Sequence, residues 1–371
     1  MRQPPAICPS KRRDIAKRFA IARPIGAIEP LGRGLINDTF SLEAGGQRYV
    51  LQRINGAVFP APERIMANLR VLGAHLATRD APGLRLPALI ATRDGADFLR
   101  DLDGGVWRLM EFIPDAVTLA RIENDAQARE VGAVLGRFHR LVESLPSARL
   151  GLTLPGFHAT PDYLERLLSV AKDADTAIDH AQEVRCCLDF VTARRGLAKA
   201  LDTAWRAGQI VQRVTHGDPK LDNILFDRAG CHALALIDLD TVQPGLIQHD
   251  LGDCLRSCCN RVGEHTADSD GVRFDLSICA GILAGYAGET HAFLTPADIA
   301  LCYDAIRLLP FELGLRFLTD HLEGDHYFRV SARGENLRKA QVQFALLADI
   351  ERQEESLRTL IATCFAKPCP D

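Results

Sequence analysis

No apolar run in this 371-residue chain approaches the roughly twenty residues that a bilayer-spanning helix needs, so no membrane partner is expected. Met1 to Ala20 carries Lys11, Arg12 and Arg13 but no apolar stretch and no cleavage site, so it does not read as a secretion signal. None of the 11 cysteines forms a Cys-x-x-Cys pair, although Cys186-Cys187 and Cys258-Cys259 are adjacent. An odd number of thiols without a secretion signal points to reduced cysteines in the cytoplasm and to no thiolate metal site. Basic residues are not in excess either: 44 Lys and Arg stand against 48 Asp and Glu, a formal net charge of -4. That excludes the basic footprint of a nucleic-acid binder. Internal repeats and low-complexity segments are absent, and no signal of oligomeric state is present. What remains is an enzyme-like chain with a small-molecule partner.

With 47% hydrophobic and 25% charged residues, the chain exceeds the usual size of a single core, which predicts two lobes. Its organising stretch runs from Val214 through His216, Gly217, Asp218, Lys220 and Asn223 to Asp227, then from Ala235 to Asp240. Ile224 to Phe226 reads as a buried strand and Leu234 to Ile237 as its partner, with Asp227 to Gly230 as the turn. The hairpin sets Asn223 beside Asp238. Two oxygen ligands at one edge suit a hard cation that keeps several waters, Mg²⁺ more than zinc. Asp218, on the same loop, is left to face a substrate hydroxyl. The competing reading is an acidic surface hairpin whose Asp and Asn residues favour turns.

This pattern resembles the His-x-Asp-x-x-x-x-Asn loop and following Ile-Asp of the aminoglycoside phosphotransferase and choline kinase superfamily. The resemblance implies an α+β, two-lobed, protein-kinase-like fold that uses ATP and Mg²⁺. Asp218 would accept or orient the acceptor proton, and Asn223 and Asp238 would hold the metal on the nucleotide phosphates. It also implies that Asp250 braces the catalytic loop, with His216 and Asp240 supporting the same centre. Asp253 reads as a helix-start cap, and His139 as a structural histidine.

The smaller lobe is expected over residues 1–113, a five-stranded antiparallel sheet with one helix. A leading helix spans Lys11 to Ile21. Gly32, Gly34 and Asn37 belong to a glycine hairpin that approaches the nucleotide phosphates. Gln47 to Ile54 is the strand on which protein kinases carry a phosphate-contacting lysine, and here Gln52 stands in that place. A neutral hydrogen bond from Gln52, or a bent Arg53, is the expected substitute. A helix follows over Pro60 to Leu76, then strands Asp97 to Asp101 and Gly105 to Ile113. Glu111 to Ile113 form the hinge, offering backbone groups to adenine. Pro114 breaks the pattern. Residues 114–371 are expected to form the larger lobe, with helices over Ala126 to Leu145, 161–173, 176–196, 196–209, 272–288, 296–321 and 334–362. ATP would lie between the lobes.

A narrower resemblance, to bacterial N-acetylhexosamine 1-kinases, spans nearly the whole chain. It rests on Tyr49 to Gln52, Gly105 to Arg108, Phe157 to Pro161, the catalytic loop and the block from Phe311 to Phe328. It implies phosphorylation of the anomeric hydroxyl of a free N-acetylglucosamine or N-acetylgalactosamine. By that match Arg316 would hydrogen-bond sugar hydroxyls, with Asp325, Tyr327, Phe157 and His158 around the acceptor. The plainer reading of Arg316 is a helix-surface ion pair with Glu312 or Asp320, one turn away. Other acceptors on the same fold are another sugar, homoserine, choline or an aminoglycoside. A nucleotide-binding pseudokinase scaffold is the alternative from outside enzymes, supported by the missing lysine.

Overall fold

The computed structural model describes residues 7–32, 36–79, 83–173, 181–263, 266, 269–328 and 330–366. Gly34 lies outside them. The chain opens with α1 (Pro9–Ala16), shorter than expected. It turns at Lys17, and Phe19 bridges to Thr92 instead of continuing the helix.

Strands β1 (Ile25–Pro30), β2 (Asp38–Ala44) and β3 (Gln47–Ile54) precede α2 (Glu63–Leu76). After α2 come β4 (Leu89–Ile90), β5 (Leu99–Arg100) and β6 (Val106–Glu111). The sheet runs β1-β2-β3-β6-β4, with β5 also paired to β6, and every pairing is antiparallel. Six strands replace the expected five, because β4 is two residues long and carries no periodicity to read. Tyr49, Leu51, Trp107 and Leu109 pack with Ile15, Ala16 and Phe19 of the N-terminal segment. Alternation sends Val50, Gln52, Arg108 and Met110 to the opposite face, and Gln52 stands directly across from Arg108.

The strand pattern breaks at Pro114 as expected: β6 ends at Glu111, and Pro114 and Asp115 form a turn. The chain then forms β7 (Ala116–Thr118), which pairs with β9 (Ile224–Asp227); β9 in turn pairs with β10 (Ala233–Leu236). The helical part begins with α3 (Asp125–Val142), whose N-cap Asn124 accepts from Gln127 N–H at 2.9 Å. Its apolar stripe of Val131, Val134, Leu135, Phe138, Leu141 and Val142 is buried. Next come α4 (Thr160–Asp173), α5 (Ala181–Arg194), α6 (Ala200–Arg206) and β8 (Arg213–Thr215), which pairs with β11 (Gln243–Gly245). Of the helix expected over 176–196, residues 176–180 lie outside the described residues. Then α7 (Ile247–Cys258) and α8 (Leu276–Thr290) complete the core around the catalytic loop. α3 and α8 cross closely: a Cβ on Gly132 would lie 1.9 Å from Ile282 O, and one on Gly285 2.0 Å from Arg129 O.

The last two expected helices are each interrupted. Leu301 separates α9 (Pro296–Ala300) from α10 (Cys302–Leu322), and Gln353 separates α11 (Glu335–Arg352) from α12 (Glu354–Cys364). An antiparallel sheet at the N-terminal end thus meets a mainly helical C-terminal region, a mixed α+β architecture. No described helix is long and apolar enough to cross a membrane.

Candidate active site

β8 delivers the chain into His216-Gly217-Asp218, and the loop is held from behind. Asp250, fully buried on α7, accepts from His216 N–H at 2.7 Å, Gly217 N–H at 2.8 Å and His139 Nε2 at 2.8 Å. Burial raises its pKa, but the His139 bond and the loop N–H groups reverse that and hold it below the usual carboxylate range. His139 in turn meets Tyr286 OH at 2.8 Å. Gly217 sits at φ 88°, where a Cβ would come within 2.7 Å of Thr241 Cβ. Only glycine suits that turn. His216 donates from Nε2 to Ile237 O at 3.0 Å, and its Nδ1 receives Asp218 N–H at 3.3 Å. That pattern needs the neutral ring, and burial accordingly lowers its pKa.

Asp253 is not a helix-start cap. It lies inside α7, accepts from Arg256 Nε at 2.8 Å and leaves Oδ2 buried without a partner among the described residues. Its charge bears on Asp218 and Lys220.

The Asp218 carboxylate is partly exposed and receives Lys220 Nζ at 2.6 Å and Asn223 Nδ2 at 3.1 Å. Burial pushes its pKa up, yet Lys220 outweighs that and holds it below the ordinary value. Lys220 was not singled out in the sequence, although it stands two residues from Asp218. Ile237 N–H donates to Asn223 O at 2.9 Å, so the hairpin does bring Asn223 next to Asp238. Asp238 occupies the left-handed region at φ 61° and is exposed. Enclosure by the surrounding protein and the Asp240 carboxylate push it up to about 7. The Asp238 carboxylate beside the Asn223 amide oxygen offers the hard oxygen donors that fit a divalent cation completing its shell with water and phosphate oxygens. Among the described residues no cluster of three His, Cys, Asp or Glu forms a closed metal cage.

On the sheet side, the expected contacts are already engaged. Gln52 donates from Nε2 to Thr39 Oγ1 at 3.0 Å, and its Oε1 accepts from Arg108 Nε at 2.9 Å and Nη2 at 2.6 Å. Both ends of the amide are thus engaged within the sheet. Arg108 also pairs with Asp240. Asn37 gives Nδ2 to Asp240 at 2.6 Å and takes Asn55 N–H at 2.9 Å. Gly32 adopts φ 72° and is exposed. Glu111 N–H is taken by Ala88 O at 2.9 Å. Glu111 and Ile113 line a groove of about 1170 Å³ that reaches Leu239, the neighbour of Asp238, along with α2 residues Leu69 and Leu72. Asp218, Asn223 and Asp238 do not line it.

The residues expected around the acceptor gather at Arg316. Its guanidinium lies 5.6 Å from the Phe157 ring centroid, 5.3 Å from Tyr163, 5.6 Å from Tyr327 and 5.4 Å from Phe328. Tyr163 and Phe328 carried no sequence signal, because the box closes only in three dimensions. Among the described residues Arg316 makes no close ion pair with Glu312 or Asp320. Glu312 instead takes His158 Nδ1 at 2.9 Å and Thr160 Oγ1 at 2.5 Å. Asp320 is committed to the N–H groups of His326, Tyr327 and Phe328 and to Asn336. Asp325 accepts from Asn336 Nδ2 at 2.8 Å. His158 is not free to bind an acceptor either: its second nitrogen meets Gly217 O at 3.2 Å. It joins the acceptor side to the catalytic loop. Gln243 Oε1 ties the segment before it to β11 through Thr153 N–H at 2.9 Å and Leu154 N–H at 3.0 Å.

The acyl-CoA dehydrogenase family member 11 of Gallus gallus is 26% identical over 239 residues, 62% of this chain. The match spans only 28% of that relative's length. The microcompartment-associated aminopropanol kinase superposes with a TM-score of 0.64 at 17% identity, covering 94% of this chain and 98% of the other. The aminoglycoside phosphotransferase of Alicyclobacillus acidocaldarius gives 0.65 at 15% identity, over 97% and 98%. Both share the fold. The model of the phosphotransferase enzyme family matches residues 27–287, which include β2, β3, the catalytic loop and the metal hairpin. The chain belongs to the phosphotransferase enzyme family.

Proposed function

We propose that this protein transfers the γ-phosphoryl group of Mg·ATP to the anomeric hydroxyl of a free N-acetylhexosamine, giving the sugar 1-phosphate and ADP. The observation that carries the acceptor class is the Arg316 box: a cation ringed by aromatics with no carboxylate in ion-pair contact among the described residues. Aromatic faces stack on the apolar face of a sugar ring, and guanidinium N–H groups donate to hydroxyl and acetamide oxygens. An amine-bearing acceptor would meet a positive charge there instead.

In this reading Asp218 orients the C1 hydroxyl and takes its proton as the oxygen attacks the γ-phosphorus. The bond to the ADP oxygen breaks as the C1–O–P bond forms. An anomeric hydroxyl is more acidic than an ordinary alcohol, so a carboxylate of lowered pKa suffices as its partner. Lys220 lies against Asp218 at 2.6 Å and neutralises charge at the point of transfer. Asn223 and Asp238 would hold Mg²⁺, which supplies charge neutralisation on the phosphates. His158, Asp250 and His216 fix the loop that carries Asp218.

The test is ATP consumption by purified protein with Mg²⁺ against N-acetylglucosamine, N-acetylgalactosamine, other free sugars, choline, homoserine and an aminoglycoside. An acid-labile phosphate on C1 of an N-acetylhexosamine is the expected product. Turnover confined to an amine-bearing acceptor would discard the pocket reading and keep the catalytic loop.

A further inference from the structure

Protein kinases place a lysine where β3 here carries Gln52. Directly opposite, on β6, is Arg108. Facing positions on antiparallel strands are close enough for long side chains to share one site. Arg108 is 1% exposed, and its ion-pair partner Asp240 stands two residues past Asp238. Its guanidinium is held in a fixed plane: Nε and Nη2 both donate to Gln52 Oε1, and Gln52 is pinned by Thr39. Asp240 is fixed by Asn37, which is fixed in turn by Asn55 N–H. The chain Thr39–Gln52–Arg108–Asp240–Asn37 therefore spans from the sheet to the metal hairpin.

One detail is left over by a purely structural account. Arg108 Nη1 is buried and has no hydrogen-bond partner among the described residues. A charged donor closed off from water and left unpaired is costly. An arginine whose only task was to neutralise Asp240 would gain by spending that nitrogen too. An anion of phosphate geometry suits it, since guanidinium binds phosphate oxygens through paired N–H groups. The Arg108 charge is also felt at Asp238, which puts it beside the residue expected to carry the metal.

We propose that Arg108 is the cation that receives the β- and γ-phosphates of the nucleotide in place of the strand lysine, with Asp240 holding it in position before the phosphates arrive. Gln52 then orients that cation and does not contact phosphate itself. This rests on the nucleotide-dependent reaction proposed above and is independent of which acceptor is used.

The test compares ADP with AMP, because only ADP carries a phosphate beyond the first. Binding of each with Mg²⁺ is measured by calorimetry on the full-length protein, with thermal unfolding as the control for folding. Arg108→Met strands Asp240, so the Arg108→Met, Asp240→Asn double variant is measured beside it, removing both charges together. ADP affinity of the double variant is expected to fall about tenfold to a hundredfold, the span of one charge-assisted contact, while AMP affinity stays within about twofold. Asp240→Asn alone is expected to bind ADP at least as tightly as the unaltered protein. Equal losses for AMP and ADP, or a double variant that binds ADP normally, would overturn the assignment. If the unaltered protein bound neither nucleotide, the kinase reading itself would fall.

Discussion

His158 meets two acceptors at once, the Glu312 carboxylate at 2.9 Å and the Gly217 carbonyl at 3.2 Å. Satisfying both requires a proton on each ring nitrogen. Burial alone would lower the pKa of the imidazolium, but Glu312 reverses that and lifts it above the ordinary 6.5. The same contact, working against burial, holds Glu312 at about 2. The sign for stability follows from linkage. The His158 contribution is complete below the unfolded value of 6.5 and is lost as pH rises through the raised folded value. The Glu312 contribution is complete above its unfolded value of 4.5 and is lost as pH falls towards 2. The unfolding temperature is expected to decline on the alkaline side, with a shallower decline in Glu312→Gln. An identical alkaline slope in that variant, measured by scanning calorimetry, would show that the pair does not titrate this way.

Asp218→Asn keeps the shape of the side chain and its contacts with Lys220 and Asn223 but cannot take a proton. Turnover in a coupled ADP assay is expected to drop about a hundredfold to ten-thousandfold, with nucleotide affinity nearly intact. Near-normal turnover would remove Asp218 from the chemistry.

Asp250→Ala removes the acceptor of three donors and leaves His139 facing a void. Breaking one side of a buried polar pair costs about 3–5 kcal/mol. Both stability and turnover should fall, unlike Asp218→Asn, where only turnover does. Chemical denaturation of the two variants side by side separates a brace from a reacting group.

Gly217→Ala puts a side chain at φ 88° and within 2.7 Å of Thr241 Cβ. A cost of about 1–3 kcal/mol is expected from the strained backbone, together with displacement of Asp218. A variant with unchanged unfolding and full activity would contradict the tightness of this turn.

The catalytic half of the site was legible in sequence because its geometry is local. Asn223 and Asp238 end two short strands joined by a turn, and Asp218 is a fixed number of residues upstream, so spacing alone brings them together. Arg108 and Asp240 are 132 residues apart, and strand alternation tells which face Arg108 occupies but not what it meets there. His158 lies in the left-handed region at φ 59°, which turns it towards Gly217 and Glu312, a contact that no periodicity encodes. The Gln353 break and the short strands β4 and β7 escaped for a related reason: each spans too few residues to leave a pattern.

Arg316→Leu keeps an apolar side chain against the rings and removes the donors. The KM for an N-acetylhexosamine is expected to rise about tenfold to a hundredfold, with the KM for ATP unchanged. Unaltered KM values for both substrates would take Arg316 out of acceptor binding.

The braces of the catalytic loop come from α3, α7 and α8, through His139, Asp250 and Tyr286. The rings around Arg316 come instead from Phe157, Tyr163, Tyr327 and Phe328. The two sets meet at His158. In the proposed reading, a descendant of this protein is free to exchange rings, and with them its diet of small molecules, without relearning how to move a phosphoryl group. Glu312 and His158 mark where that freedom ends, since a change there reaches the backbone beside Asp218.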